Sequence, residues 1–173
     1  MSIKYGYVKN AILIMGYKML RKVISGGQTG ADRAGLIAAK AAGYITGGYM
    51  PSGFLAHDGY RSEFASVYGM REHNSPNYPP RTKANVQASD GTVRFSTKWN
   101  SPGEKLTYKE IMLAGKPHMD INPFDQDITP EELAQWIKDK DIKVLNIAGN
   151  SEKTSPAGLS SIMRRWFTTS CRP

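Results

Sequence analysis

The sequence predicts an α/β domain, a three-layer sandwich whose mostly parallel central sheet is covered by helices on both faces. Two observations carry this. Short apolar or β-rich runs alternate with helical stretches through most of the chain, as expected when β-α units wind into a parallel sheet. The chain has 173 residues, no internal repeat and no linker-like segment, which fits one domain with a full core.

Leu20 to Ile24 reads as a short buried strand, and Ser25 to Gly30 as the turn after it. Ala31 to Ala42 reads as an alanine-rich helix ended by Gly43, since alanine favours helix and glycine favours its C-terminal cap. Tyr44 to Met50 is a second, weaker strand interrupted by Gly47-Gly48, and Pro51 to Tyr60 reads as a loop. Between Arg61 and Pro80, the cluster Pro76, Pro79 and Pro80 argues against a long helix, because proline removes a donor and clashes with the preceding turn. Arg81 to Ala88 reads as a short helix, and the alternating Thr92-Val93-Arg94-Phe95-Ser96 as a strand. Asn100 to Gly103 is a turn, Glu104 to Ala114 a helix ended by Gly115, and Pro117 to Ile121 a short strand. Thr129-Pro130-Glu131-Glu132 starts another helix, with Thr as cap, Pro at the first position and Glu three residues after the cap. Its inner face is Leu133, Trp136 and Ile137. Lys143 to Ala148 is the last strand and Gly149 to Ala157 the loop after it. Leu159, Ile162, Met163, Trp166 and Phe167 then recur at helical spacing and read as the core face of a final helix. Residues 1–18 precede the first strand as an extension, and 19–173 form the domain.

The 23 Lys and Arg exceed the 15 Asp and Glu, giving a formal charge of +8, a balance that favours an anionic partner. The single cysteine, Cys171, excludes an internal disulfide, and no Cys/His cluster has zinc spacing. A reducing, cytoplasmic setting is the expectation. The apolar run Ala11 to Met15 is too short to span a bilayer, and no small-residue cleavage site follows it. No membrane partner is expected.

In open parallel sheets, ligands bind beyond the carboxyl ends of the strands. Three strand-to-helix turns there are rich in Gly and Ser: Ser25 to Gly30, Asn100 to Gly103, and Gly149 to Ser151 with Thr154 and Ser155. Each offers backbone N–H groups at a helix N-terminus, where the dipole favours an anion. The first turn has neither the P-loop spacing nor the G-x-G-x-x-G fingerprint. Candidate ligand-binding residues are Gly26, Gly27, Gln28, Thr29, Gly30, Asp32, Arg33, Arg81, Asn85, Ser101, Gly103 and Gly149. Asp32 suits either the cap of its helix or a ligand hydroxyl. Arg33 suits either solvent or a phosphate. Arg81 and Asn85, four apart, share a helix face suited to a phosphate and a base or pterin edge. Asp58, beside His57, and Glu110 are the candidate catalytic carboxylates. Asn146, inside an apolar strand, reads as structural. No metal ligand set is evident.

The stretch Ser25-Gly26-Gly27-Gln28-Thr29-Gly30-Ala31-Asp32-Arg33-Ala34 resembles the opening signature of the circularly permuted YpsA-like proteins, the molybdenum carrier family. These belong to the SLOG superfamily of Rossmann-like domains. Gly47-Gly48-Tyr49-Met50-Pro51-Ser52-Gly53, Asp58-Gly59, Tyr78, Arg81-Thr82, Asn85-Val86, Ser89-Asp90-Gly91-Thr92, Gly115-Lys116-Pro117 and Leu145 to Gly149 follow the family's later steps. The likeness covers about residues 20–168. The chain departs from it twice. The middle turn reads Ser101-Pro102-Gly103-Glu104 where the family has Ser-Gly-Gly-Thr, and Gly149-Asn150-Ser151-Glu152-Lys153 stands for Gly-Pro-Arg-Glu-Ser. Glu104 would repel an anion and suits a cap of its own helix.

The resemblance implies a Rossmann-like fold and a carrier of a phosphorylated small molecule, with molybdenum cofactor as the family's ligand. A nucleotide-derived ligand fits the same turns. The spacing of Pro102-Gly103, Thr107 and Glu110 also resembles the motif of the LOG phosphoribohydrolases, which would make the protein a hydrolase of nucleotide N-glycosidic bonds. A nucleic-acid partner is the third alternative, from the charge and from Arg164, Arg165 and Arg172. The expected assembly is a homo-oligomer. Replacing Gly27 or Gly30 by Val is expected to abolish binding and leave the fold intact.

Overall fold

A computed structural model describes residues 20–125 and 128–154. The 1–18 extension and the final helix lie outside the described residues.

The chain runs β1 (Lys22–Ser25), α1 (Ala31–Ala41), β2 (Ile45–Met50), a short 3-10 turn (Ser52–Phe54), β3 (Leu55–Ala56) and β4 (Gly59–Tyr60). It continues with α2 (Phe64–Tyr68), β5 (Met70–Glu72), α3 (Tyr78–Ala88), β6 (Gly91–Phe95), α4 (Pro102–Ala114), β7 (His118–Ile121), α5 (Pro130–Asp139) and β8 (Val144–Gly149). Six strands form one sheet in the order β5-β2-β1-β8-β6-β7, and every pairing in it is parallel. The expected α/β, Rossmann-like layering is present. β3 and β4 form a small antiparallel hairpin apart from it.

β1, β2 and β5 build one half of the sheet and β6 and β7 the other. β8, the last strand among the described residues, enters between β1 and β6. The connections therefore diverge at the centre, the position where parallel sheets open a crevice at their carboxyl edge.

The two faces of the sheet differ in kind. Val23, Val93, Phe95, Ile121, Leu145 and Ile147 pack against Ala31, Ala34 and Ala38 of α1 and Leu133 of α5 in an apolar core. A second cluster joins Leu36, Met50, Ala56, Phe64 and Met70 beneath the hairpin side. Side chains alternate along a strand, so Thr92 and Arg94 point to the opposite face. There Thr92 registers with Asn146 and Arg94 with Ala148. Thr92, Arg94 and Asn146 are buried, under α3 and α4. A parallel sheet covered on both sides is normally apolar on both; here one inner face is polar at its centre.

Several elements differ from expectation. The loop Pro51 to Tyr60 holds the 3-10 turn and the hairpin. The stretch before Arg81 holds α2 and β5, and α3 begins at Tyr78 with its proline pair inside the first turn. The first helical N–H groups have no intrahelical partner, so proline costs nothing there. The α5 start follows the expectation fully: Thr129 N donates to Glu132 Oε2 (2.6 Å) and Glu132 N to Thr129 Oγ1 (3.2 Å).

Candidate functional site

A cleft of about 450 Å³ opens at the carboxyl edge of the sheet. Its floor is Asn146 and Ala148 of β8, and the turn after β1, the start of α3, the start of α4 and the loop after β8 form its walls. Of the sequence-predicted residues, Gly26, Gln28, Asp32, Arg81, Asn85, Ser101, Gly103 and Gly149 line it. Gly27, Thr29, Gly30 and Arg33 are not among its lining residues, nor are Asp58 and Glu110.

The turn after β1 spends its donors on the protein itself. Gly27 N donates to Ser25 Oγ (3.0 Å), Gln28 N to Asp32 Oδ2 (3.4 Å), Thr29 N to Gln28 Oε1 (2.9 Å) and Ala31 N to the Asn150 carbonyl (3.0 Å). The open row of N–H groups expected from the glycine pattern is therefore largely filled. Asp32 does not cap α1, whose N-cap is Gly30 with no side-chain bond. Its buried carboxylate turns instead toward Arg81, with Nη1 at 3.4 Å. Burial pushes its pKa above the ordinary 3.8; the Arg81 charge and the N–H groups of Gln28 and Gly26 oppose that.

Arg81 reaches this position because residue 26 has no side chain. A Cβ at Gly26 would come within 1.5 Å of Arg81 Nη1. The guanidinium also lies 5.5 Å from the Tyr78 ring centre, and its buried Nε has no hydrogen-bond partner. Asn85, its expected companion, is committed to the backbone: Oδ1 accepts from Tyr49 N (2.8 Å) and Nδ2 donates to Tyr49 O (3.0 Å).

Arg33 and Asp58 form a separate group. Arg33 donates two hydrogen bonds to Asp58 (2.6 and 2.9 Å), and Arg61 adds a third at 2.6 Å. These bonds hold the Asp58 carboxyl well below the usual carboxylate range. It stays ionised and ties the β3–β4 hairpin to α1, which leaves it no proton to supply near neutrality. His57 does line the cleft. Burial, then the Lys153 and Arg81 charges, lower its pKa from 6.5, so the ring is neutral at pH 7.

Glu104 is the largest departure from expectation. The cap of α4 is Ser101, whose Oγ accepts from Glu104 N at 3.4 Å. The Glu104 side chain is instead buried in the cleft wall. Its Oε1 accepts from Asn150 Nδ2 (3.4 Å). Its Oε2 makes no hydrogen bond, with Arg94 Nη1 at 3.5 Å. Burial pushes its pKa up to about 7; Asp32 and Asp120 add to the rise and Arg94 opposes it. Arg94 is fully engaged: it pairs with Asp120 through Nε (2.7 Å) and Nη2, and lies 5.1 Å from the Trp99 ring centre and 5.0 Å from that of Tyr108.

Two asparagines complete the floor. Asn146 Nδ2 donates to Thr92 Oγ1 (3.2 Å), and its buried Oδ1 has no partner. Asn150 Oδ1 accepts from Ser96 Oγ (2.9 Å), Thr97 N (2.9 Å) and Lys98 N (3.0 Å), which fixes the loop after β6. Sequence reasoning missed the place of Glu104 and Asn150 and took Asn146 as purely structural. The available signal was the polar alternation of Thr92 and Arg94 in a strand that the topology buries. Among the described residues, no group of three His, Cys, Asp or Glu could hold a metal ion, and no helix is long and apolar enough to cross a membrane.

The model of the circularly permutated YpsA SLOG family matches residues 23–167. The chain belongs to that family. The crystal structure of a "Putative molybdenum carrier protein" from Syntrophus aciditrophicus resembles this YpsA-type fold with a TM-score of 0.78 and 32% sequence identity. The alignment covers 90% of this chain and 97% of that one. No curated protein matches the sequence.

Proposed function

We propose that this protein binds a phosphorylated small molecule in the cleft, either a pterin phosphate such as molybdenum cofactor or a nucleotide-derived ligand. The observation that carries this is Arg81, a mostly buried guanidinium seated over Gly26 on the cleft wall, paired with Asp32 through Nη1 and with an Nε that has no partner. The cleft lining also includes the N-terminus of α4 at Ser101 to Gly103, whose dipole favours the same anion. The cleft volume falls in the range of about 300–1,000 Å³ usual for small-molecule sites. The name of the Syntrophus neighbour supports a carrier role. Because the first turn has filled its own donors, the anion comes to Arg81 and α4 rather than to the turn.

Calorimetry and thermal shift with ribose 5-phosphate, AMP, ADP-ribose and a pterin phosphate test this. Ligand at ~100 times its dissociation constant adds about 2.7 kcal/mol to stability. Arg81→Ala is expected to weaken binding at least about tenfold, the loss of a charge-assisted phosphate contact. If none of these compounds binds, or if Arg81→Ala binds them unchanged, the proposal fails.

Glu104 favours a second reading, hydrolysis of a nucleotide N-glycosidic bond. A buried carboxyl near neutrality in a cleft is suited to general acid–base work, a role that Glu110 outside the cleft lining is not placed for. Release of free base from a nucleoside monophosphate, lost in Glu104→Gln, would establish it; no release at any pH from 5 to 9 would remove it.

A further inference from the structure

The floor of the cleft presents hydrogen-bond acceptors that the protein leaves unmet. Asn146 Oδ1 is buried and has no partner, because its amide nitrogen is spent on Thr92. Glu104 Oε2 is buried and makes no hydrogen bond, Arg94 Nη1 lying at 3.5 Å. Both residues line the cleft, each under 4% exposed. Buried acceptors are rarely left bare, since each costs its full desolvation. A bound molecule that supplies N–H groups removes that cost.

We infer that this floor recognises the 2-amino-4-oxo-pyrimidine edge shared by pterins and guanine, with Glu104 and Asn146 accepting its hydrogen bonds. That edge carries a ring N–H next to an exocyclic amino group, two donors side by side. Glu104 Oε2 is the acceptor for one, with a charge-assisted bond, and Asn146 Oδ1 the acceptor for the other. The adenine edge pairs an amino donor with a ring nitrogen acceptor, so it meets one floor acceptor and turns a lone pair toward the other. The inference rests on the phosphate reading above: Arg81 takes the phosphate and the polar floor selects the heterocycle. It also accounts for the departure at residue 104, where a carboxylate serves the ring system and not the anion. Since Glu104 sits near its midpoint at neutral pH, ionising it should favour the donor edge further.

Calorimetry with GMP, AMP and ribose 5-phosphate tests this in the full chain. GMP is expected to bind at least about tenfold more tightly than AMP, as sites built for hydrogen bonding reject a mismatched partner. GMP affinity should rise from pH 6 to pH 8. Glu104→Gln should flatten that pH profile and reduce the preference for GMP over AMP. Asn146→Ala is the second variant, with the same expected loss of preference. If ribose 5-phosphate binds but AMP matches GMP, or if the preference survives both substitutions, the inference is overturned and the phosphate reading stands. If neither GMP nor ribose 5-phosphate binds, both fall together.

Discussion

At the scale of single residues, the cleft holds two buried carboxylates whose pKa values rise for the same reason. Asp32 and Glu104 each face one arginine, and in each case burial outweighs the attraction. A carboxyl whose folded pKa exceeds its unfolded value binds more protons in the native state. Its contribution to stability is therefore greatest at low pH and is lost as pH rises through the window. For Glu104 that window runs from 4.5 to about 7, worth on the order of 3 kcal/mol at 1.36 kcal/mol per unit. Glu104→Gln should remove this slope: relative to the native protein the variant gains stability between pH 4.5 and 7, and the gap is flat above that. Urea denaturation across pH 4.5–8.5 measures it, and parallel curves for the two proteins would contradict the assignment. Asp58 works in the opposite sense. Its lowered pKa gives stability that is present above 3.8 and lost only as pH falls below it, so the two effects occupy different windows.

At the scale of elements, the turn after β1 separates two kinds of glycine. Gly26 yields its side-chain space to a flexible guanidinium, and Gly30 has φ 83° with the Asn150 carbonyl 2.3 Å from where a Cβ would stand. Gly26→Ala should displace Arg81, weaken phosphate binding and keep the fold. Gly30→Ala should lower stability by about 1 kcal/mol or more, since L residues resist positive φ and the obstacle is backbone. Melting temperature and ribose 5-phosphate affinity of both variants check this; equal losses of both quantities in both variants would refute it. The sequence expectation for Gly30→Val, lost binding with an intact fold, is replaced by this one. The turn itself was legible because Gly and Ser at the end of an apolar run mark a strand–helix junction. So were α1, α4 and α5, through Ala content, terminal glycines and the Thr129 capping box. The stretch before Arg81 was not, because α2 spans five residues, too few to show a period. Glu104 was hidden by a local rule: acids near helix starts usually face the dipole, and the buried Arg94 beneath α4 and the Asn150 amide draw this one inward.

At the scale of the whole molecule, the formal charge of +8 suggests attraction of anions everywhere, yet the individual cations are not equally available to a ligand. Arg33 and Arg61 serve Asp58, Arg94 serves Asp120 and Glu104, and Lys116 caps α3 through the Val86, Gln87 and Ser89 carbonyls. What reaches a ligand should depend on position relative to the sheet. Lys153 stands at the carboxyl edge, where its charge is felt at His57. Lys140 ends α5 just before β8 begins, so the length of that strand, about 20 Å at roughly 3.3 Å per residue, separates it from the carboxyl edge where Lys153 stands. That exceeds the screening length of about 8 Å at physiological ionic strength. Lys140→Glu and Lys153→Glu change the net charge equally. Lys153→Glu should nonetheless weaken ribose 5-phosphate binding several-fold at low salt, chiefly through a slower on-rate, and the deficit should fade toward ~0.5 M salt as screening tightens. Lys140→Glu should leave affinity within about twofold. Stopped-flow binding at two salt concentrations decides between them: equal slowing by both substitutions would mean that overall charge, not the arrangement at the carboxyl edge, draws the ligand in.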